Sequence, residues 1–341
     1  MQLLRAVGFV LVLTMLSVGC EEKKPGPTPG IPAPAGAAAG LRIAVVPKGT
    51  SHDFWKSVQA GALRAAKSEK GVEITWRGPE REDDREQQIA LVQNLISAKY
   101  DAIVLAPLDD QALVGPVKQA TNAKIPVVII DSGLQAEAGK DYVSFVATDN
   151  FKGGELAGRR LGEAMGGVGK ALLLRYLEGS ASTAQREEGF ITAIRKFEKI
   201  ELVDPPRYAG ATRATAQEAA ENLLAATPGV TGIFCPNEPS TFGMLLALRG
   251  RGMAGKVSFV GIDASDAAVG ALRSGEIQGL VLQNPIRMGE LGVKTAIDHI
   301  RGRATPARVD TGVMLVTKEN VDSPDAKELI APDLASMLGG K

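Results

Sequence analysis

The 341-residue chain is poor in the residues that build metal and redox sites: two cysteines, two histidines, and nine Phe, four Tyr and two Trp. The histidines, His52 and His299, stand far apart in the chain, so a histidine-based metal centre has little to build on, and neither a metal nor another cofactor is expected. Cys20 ends an apolar leader, which leaves only Cys235 for the folded part and excludes an intramolecular disulfide there. Basic and acidic residues number 39 each, so no surplus of positive charge is available to hold nucleic acid. The one strongly apolar run, "VGFVLVLTMLSVG", is too short to span a bilayer comfortably.

That run has the form of a processing signal, with Arg5 before it and small residues leading into Cys20. Residues 1–20 read as a lipoprotein signal, with Ser17 a departure from the usual Leu and Cys20 as the lipidation site. An ordinary secretory signal with an incidental cysteine is the alternative. Residues 21–40, "EEKKPGPTPGIPAPAGAAAG", combine charges with Pro, Gly and Ala, bury no core, and read as a tether. A lipid followed by a tether places the protein in the periplasm or at the cell surface, anchored to a bacterial membrane. The roughly 300 residues that follow exceed one comfortable core, so two domains are expected.

From Leu41 onward, short β-branched runs alternate with amphipathic stretches. The strands are "LRIAVV", "VEITW", "AIVLA", "PVVIID", "YVSFVA", "ALLLRY", "IELVD", "TGIFC", "VSFVGID" and "IQGLVLQ". Helices are predicted in "FWKSVQAGALRAAKSEKG", "REQQIALVQNLISAKY", "QALVGPVKQATNAK" and "TAQREEGFITAIRKF". Nearly continuous apolar strands suit parallel sheets covered on both faces. The alternation implies an α/β fold of doubly wound sheets, better divided in two with a break near 147–150.

Ligands of such sheets sit beyond the carboxyl ends of the strands. Collecting those ends gives Pro47–Trp55, Ala106–Asp109, Asp131-Ser132, Thr148–Asn150, the "EGSASTAQR" loop, Pro236-Asn237, Asp263 and Gln283-Asn284. Carboxylates, amides, one Arg and an aromatic pair suit a neutral polyhydroxyl ligand, whose hydroxyls donate and accept and whose C–H faces an aromatic ring can cover. Asp131 and Asp263 have a blander reading as N-caps of the helices that follow. Ser51-His52-Asp53 spells a triad, but three consecutive residues cannot line up nucleophile, base and orienter. His52 is either a ligand contact or a helix-start residue. Of Phe54 and Trp55, about 100° apart at a helix start, one is expected to face the cleft and the other to pack inward. "GGVGKA" lacks the phosphate-loop spacing and precedes a strand. The charged run "PEREDDREQQ" reads as a solvated loop and helix start, capped by Asp83 or Asp84.

Taken in order, "GALRAA", "LVQNLI", "DAIVLAPLD", "IPVVIIDSG", "ATDNFKGGELAG", "AQREEGF", "ENLLAATPGVTGIFCPNE", "VGIDAS" and "GLVLQNPIRMGELGVKTA" resemble the periplasmic sugar-binding proteins of the ribose-binding type, relatives of the lactose-repressor ligand domain. The resemblance runs from about Leu41 to Asn320. It implies two doubly wound lobes joined by a three-crossing hinge: an N-terminal lobe of 41–148 plus 285–312 and a C-terminal lobe of 149–284 plus 313–341. Carried over by position, it assigns ligand contacts to Phe54, Trp55, Asp131, Arg186, Asn237, Asp263 and Gln283, with Thr148 reaching in from the hinge. The pattern departs at Ala106 and Ser132, where a ribose binder has Asn and Arg, and in a longer turn that brings Lys48, Ser51 and His52 to the entry loop. Ribose itself is therefore doubtful, while a sugar or sugar-like polyol is retained. The implied function is that of a monomeric, non-catalytic solute-binding lipoprotein that delivers its ligand to an ABC permease. A sensory binding protein feeding a receptor is the alternative, and a glycosidase using Asp131 and Asp263 is the more remote one.

Overall fold

A computed structural model describes residues 40–50 and 52–338; the leader, Cys20, nearly all of the tether and Ser51 lie outside the described residues. The first sheet contains β1 (Leu41–Val46), β2 (Val72–Trp76), β3 (Ala102–Leu105), β4 (Val127–Ile130), β5 (Ser144–Ala147) and β11 (Arg308–Asp310). The second contains β6 (Val168–Leu173), β7 (Lys199–Val203), β8 (Gly232–Phe234), β9 (Ser258–Ile262), β10 (Gly279–Gln283) and β12 (Val313–Val316). Their orders match: β2-β1-β3-β4-β5-β11 and β7-β6-β8-β9-β10-β12. Every pairing is parallel except β12 against β10. Strands β3, β4, β5 and β10 are buried along their whole length, as a sheet with both faces covered requires.

The covering helices are α1 (Asp53–Lys67), α2 (Arg85–Ser97) and α3 (Val114–Asn122) on the first sheet. On the second lie α4 (Asn150–Ala164), α5 (Ala181–Ile194), α6 (Arg213–Ala226), α7 (Glu238–Gly250) and α8 (Asp266–Ser274). The chain passes between the sheets at 147–150, 283–285 and 310–313. After the second passage α9 (Pro285–Ile300) returns to pack on α1. After the third, α10 (Pro324–Ile330) buries Ala326 in the second lobe's core. The last helix, α11 (Leu334–Leu338), then lies against α1 of the first lobe, where Lys67 donates to the Met337 carbonyl at 3.4 Å.

The strand order reverses direction between β1 and β3, and in the second lobe between β6 and β8, so each sheet has its switch-point crevice at the carboxyl end of its central strands. Buried Gln88 fixes the first crevice. Its amide donates to the Pro47 and Ala106 carbonyls, each at 2.9 Å, and accepts from Leu108 N–H at 3.0 Å, tying the loop after β1 to the loop after β3.

Glycine sets how closely the covering helices pair. A Cβ on Gly154 of α4 would overlap the Arg186 carbonyl of α5, and one on Gly189 of α5 would overlap the Phe151 carbonyl of α4. The α1–α9 pair repeats the arrangement with Gly61 against Ile286 and Gly289 against Val58. Because backbone rather than a flexible side chain fills the space, relief requires the helices to separate. Gly154→Ala is expected to lower unfolding free energy in urea by about 1–3 kcal/mol. Gly270→Ala, on exposed helix surface with nothing within 4 Å, is expected to leave it unchanged or raise it by about 0.5–1 kcal/mol.

Candidate functional site

Asp131 and Asp263 directly follow β4 and β9, equivalent strands of the two sheets. Both adopt left-handed backbone conformations, φ 62° and 70°, and both donate their N–H to the neighbouring strand, at 3.2 Å to Val146 and 2.9 Å to Val281. Asp is among the few residues that tolerate this geometry. The turn redirects each carboxyl group and disposes of the capping alternative: α4 is capped by Asp149 and α8 by Ser265.

Lys48, His52, Phe54, Trp55, Asp131, Arg186, Asn237, Asp263 and Gln283 line one cavity between the lobes, with about 30 Å³ of free volume. Thr148 is not among its walls. Its hydroxyl is engaged at the hinge, 3.3 Å from the Thr311 hydroxyl and 3.5 Å from the Gly312 carbonyl. Phe54 is half-buried and Trp55 buried, their rings edge-on at 5.0 Å, so the inward-packing member is Trp55, although both line the cavity. His52 takes the helix-start position: its backbone caps α1 without a side-chain cap bond, and its ring, on the cavity wall, turns to a carboxylate.

That carboxylate is Glu82, and it corrects the reading of the charged run. Asp84 does cap α2, accepting from Gln87 N–H at 2.9 Å, but Glu82 is buried. Its Oε1 lies 2.9 Å from His52 Nδ1 and accepts from Trp55 Nε1–H at 2.7 Å, while Oε2 accepts from the Tyr176 hydroxyl of the opposite lobe at 3.0 Å. Burial pushes this carboxyl group up, but the hydrogen bond and charge of His52, the Lys48 charge and the Trp55 N–H outweigh it and hold it down at about 2. Burial lowers the His52 pKa, and the bond to Glu82 more than restores it, so the net shift is upward.

Lys48 is the second bridge. It pairs with Asp131 at 2.9 Å and reaches across to the Ser182 and Ser180 hydroxyls at 2.9 and 3.4 Å. Ser132 accepts from Ser182 N–H at 3.1 Å, and Asp110 N–H donates to the Gly179 carbonyl at 3.0 Å. The two lobes thus meet through hydrogen bonds, with the cavity enclosed between them. In the second lobe's wall, Arg186 donates to Asn150 Oδ1 at 2.7 Å and to the Pro236 carbonyl at 3.0 Å, leaving further N–H donors. Asn237 caps α7, accepting from Ser240 N–H at 3.3 Å. Gln283 donates to Asp263 at 2.8 Å.

Two buried acceptors of this wall, Gln283 Oε1 and Glu238 Oε2, have no partner among the described residues. The other Glu238 oxygen accepts from Arg213 Nε–H at 2.9 Å. Burial also pushes Asp263 up to about 6, against the Arg186 charge and the Gln283 bond, with Asp131 and Glu238 adding to the rise. Sequence reasoning missed Glu82, Tyr176, Glu238 and Gln88, and it collected Ser182 and Asn150 among the strand ends without giving either a role. Tyr176 closes the run "LLLRY" and was within reach of the strand-end rule; Glu82 carries no mark that separates it from its charged neighbours.

Chemically, this is a set of three ion pairs, with Arg186 and Asp263 held by neutral groups, around unmatched acceptors. The two shifted carboxyl groups have opposite consequences for stability. The Glu82 pKa is lowered by folding, so its contribution is present above 4.5 and is lost as pH falls toward 2. The Asp263 pKa is raised, so its contribution is present below 3.8 and is lost as pH rises through about 6. Ligand-free Asp263→Asn is therefore expected to unfold at higher urea than the parent at pH 7, by on the order of 3 kcal/mol. The two should converge near about pH 3.5, below the ordinary Asp value.

A family model described as periplasmic binding protein domain matches residues 43–304. The chain is 30% identical over 285 residues to the ribose import binding protein of Salmonella typhimurium, covering 84% of this chain and 93% of that protein. It is 30% identical over 267 residues to the D-allose-binding periplasmic protein of Escherichia coli, covering 77% and 85%. Among solved structures, an ABC transporter solute-binding protein of Agrobacterium vitis with bound D-fucose superposes with TM-score 0.82 at 39% identity, covering 85% of this chain and 99% of that one. With the duplicated sheet order and the inter-lobe cavity, these matches establish that the chain belongs to the periplasmic binding protein family, in its ribose-binding type.

Proposed function

We infer that the protein is the solute-binding component of an ABC importer and that it binds an uncharged sugar or sugar-like polyol between its lobes. The observation that carries the ligand class is the pair of buried acceptors without a partner among the described residues, Gln283 Oε1 and Glu238 Oε2, in a cavity whose walls enter three ion pairs and, outside any ion pair, hold Arg186 and Asp263 of opposite charge. Buried acceptors call for donors, and hydroxyl groups supply them without adding net charge. An anion would meet Glu82, Asp131, Glu238 and Asp263 at close quarters. The aromatic wall of Phe54 and Trp55 offers a surface for the C–H face of a sugar ring. Relatives named for ribose and D-allose, and a neighbour holding D-fucose, point the same way.

Binding would proceed by hinge closure. A ligand touching both walls favours the closed arrangement by its differential affinity for it. Asp131 and Lys48 offer contacts from one lobe, Asp263, Gln283 and Arg186 from the other. This reading assigns no catalytic step. Delivery to a permease fits a monomer held near the membrane by a lipid on Cys20, with residues 21–40 as the tether.

A thermal-shift panel of pentoses, hexoses, polyols, amino acids and small anions tests the ligand class. At least one neutral sugar is expected to raise the melting temperature in proportion to the logarithm of its concentration. Stabilisation by amino acids or anions alone would overturn the reading. For the sugar found, Asp263→Ala is expected to weaken binding at least about tenfold by calorimetry, the scale of losing one hydrogen bond to a charged group.

A further inference from the structure

The inter-lobe cavity opens onto a second space. Beside the 283–285 crossing lies a chamber of about 530 Å³, and Phe54, Asp263 and Gln283 line both. Its walls come from both lobes, with Ser57 and Pro285 on one side and Phe242 and Leu282 on the other. Leu329, Ile330 and Leu334 complete it, contributed by the segment that passes from α10 in the second lobe to α11 against α1. The volume is in the range of sites that hold whole small molecules.

The two spaces differ in chemistry. Charged and amide groups dominate the inner one. In the outer one, Phe54, Phe242, Leu329, Ile330 and Leu334 are only partly buried and show apolar surface to the chamber. Several of its polar groups already have partners within the protein. Asp53 accepts from Lys56 at 2.8 Å, Asp263 accepts from Gln283 at 2.8 Å, and Arg213 donates to Glu238 while lying over the Phe242 ring at 4.4 Å. Left over are the apolar surface, the exposed Asp266 carboxylate at the rim and, on a residue shared by the two spaces, Gln283 Oε1, which has no partner among the described residues. A free monosaccharide would satisfy the last and leave the first wet.

We propose that the ligand is a sugar carrying an apolar substituent, a glycoside or ether whose ring sits against the inner wall, with the lobes parted enough to widen the about 30 Å³ cavity there, and whose aglycone fills the outer chamber. The inference rests on the sugar reading above and narrows it. Covering apolar surface on both partners is the source of the added affinity, and Phe242 and Leu329 become specificity-determining residues that never touch the sugar ring.

Calorimetry on the full chain tests it. The free sugar that gives the largest thermal shift is compared with its α- and β-phenyl glycosides and its benzyl ethers at each hydroxyl, in the parent and in Phe242→Ala and Leu329→Ala. At least one substituted form is expected to bind the parent tenfold tighter than the free sugar, and each variant to reduce that ratio at least threefold. The ratio normalises any effect of a variant on the sugar site itself. If the free sugar binds and no substituted form binds more tightly, the outer-chamber proposal is overturned and the sugar reading stands. A gain that survives in both variants also overturns it. If neither free nor substituted sugars bind, the sugar reading fails and takes the proposal with it.

Discussion

A cleft that closes over charged side chains has to replace the water it expels, and that requirement organises this molecule. Removing a carboxylate from water costs several kcal/mol unless donors are waiting. Glu82 has three, from His52 and Trp55 on its own lobe and from Tyr176 on the other. Its set is complete only when the lobes meet. Lys48 is built the same way, with Asp131 beside it and Ser182 opposite. Because water can stand in for Tyr176 and Ser182 in an open cleft, these bonds contribute modestly to closure, on the scale of about 1 kcal/mol each. They fix the register in which the lobes come together and leave the balance between open and closed to the ligand.

Duplication of the lobes explains where the opposing groups come from. The same strand order, the same glycine-mediated helix pairing and the same left-handed aspartate recur in each half. Two lobes related in this way present Asp131 and Asp263 to one cavity, and their charges oppose one another there. The asymmetry decides their roles. Lys48 neutralises Asp131 at contact distance, whereas Asp263 has the Gln283 amide and a less direct influence from Arg186, and its pKa stays raised. One acid is ion-paired in the closed cleft, and the other faces the same cavity with an amide as its direct partner.

Most of the ten strands read from the sequence were legible because burial on both faces leaves a nearly continuous apolar run, while the edge strands β2 and β7 are only partly buried and showed through their β-branched residues. Strands β11 and β12 were not: "RVD" is short and largely exposed, and "VMLV" is mostly half-buried, so neither carries the signal of a central strand. Helix α11, five residues long, is too short to show a period at all, so its place against the first lobe could come only from packing. In the site, the strand-end rule recovered the aspartates, Asn237 and Gln283, because the fold itself places strand ends at the crevice. It could not recover Glu82, since what separates that acid from Glu80 or Asp83 is burial against Trp55 and Tyr176, groups distant in sequence. Thr148 shows the converse: a strand-end residue whose hydroxyl serves the hinge.

Features that oppose stability concentrate on one wall. Asp263 combines a left-handed backbone with a carboxyl group that burial pushes toward neutrality, and Gln283 and Glu238 each bury an acceptor without a donor among the described residues. Each lowers the stability of the empty closed form, and none is needed to build the sheet on which it stands. A fold selected for stability alone would put Asn at 263 and apolar groups beside it. Keeping them makes sense if a ligand's hydroxyl groups supply the missing donors, since the same groups that destabilise the empty cleft then favour the occupied one. The cost falls on the second lobe, while the charge pairs of the first, joined to Tyr176 and Ser182 across the cleft, set the register in which the two walls close.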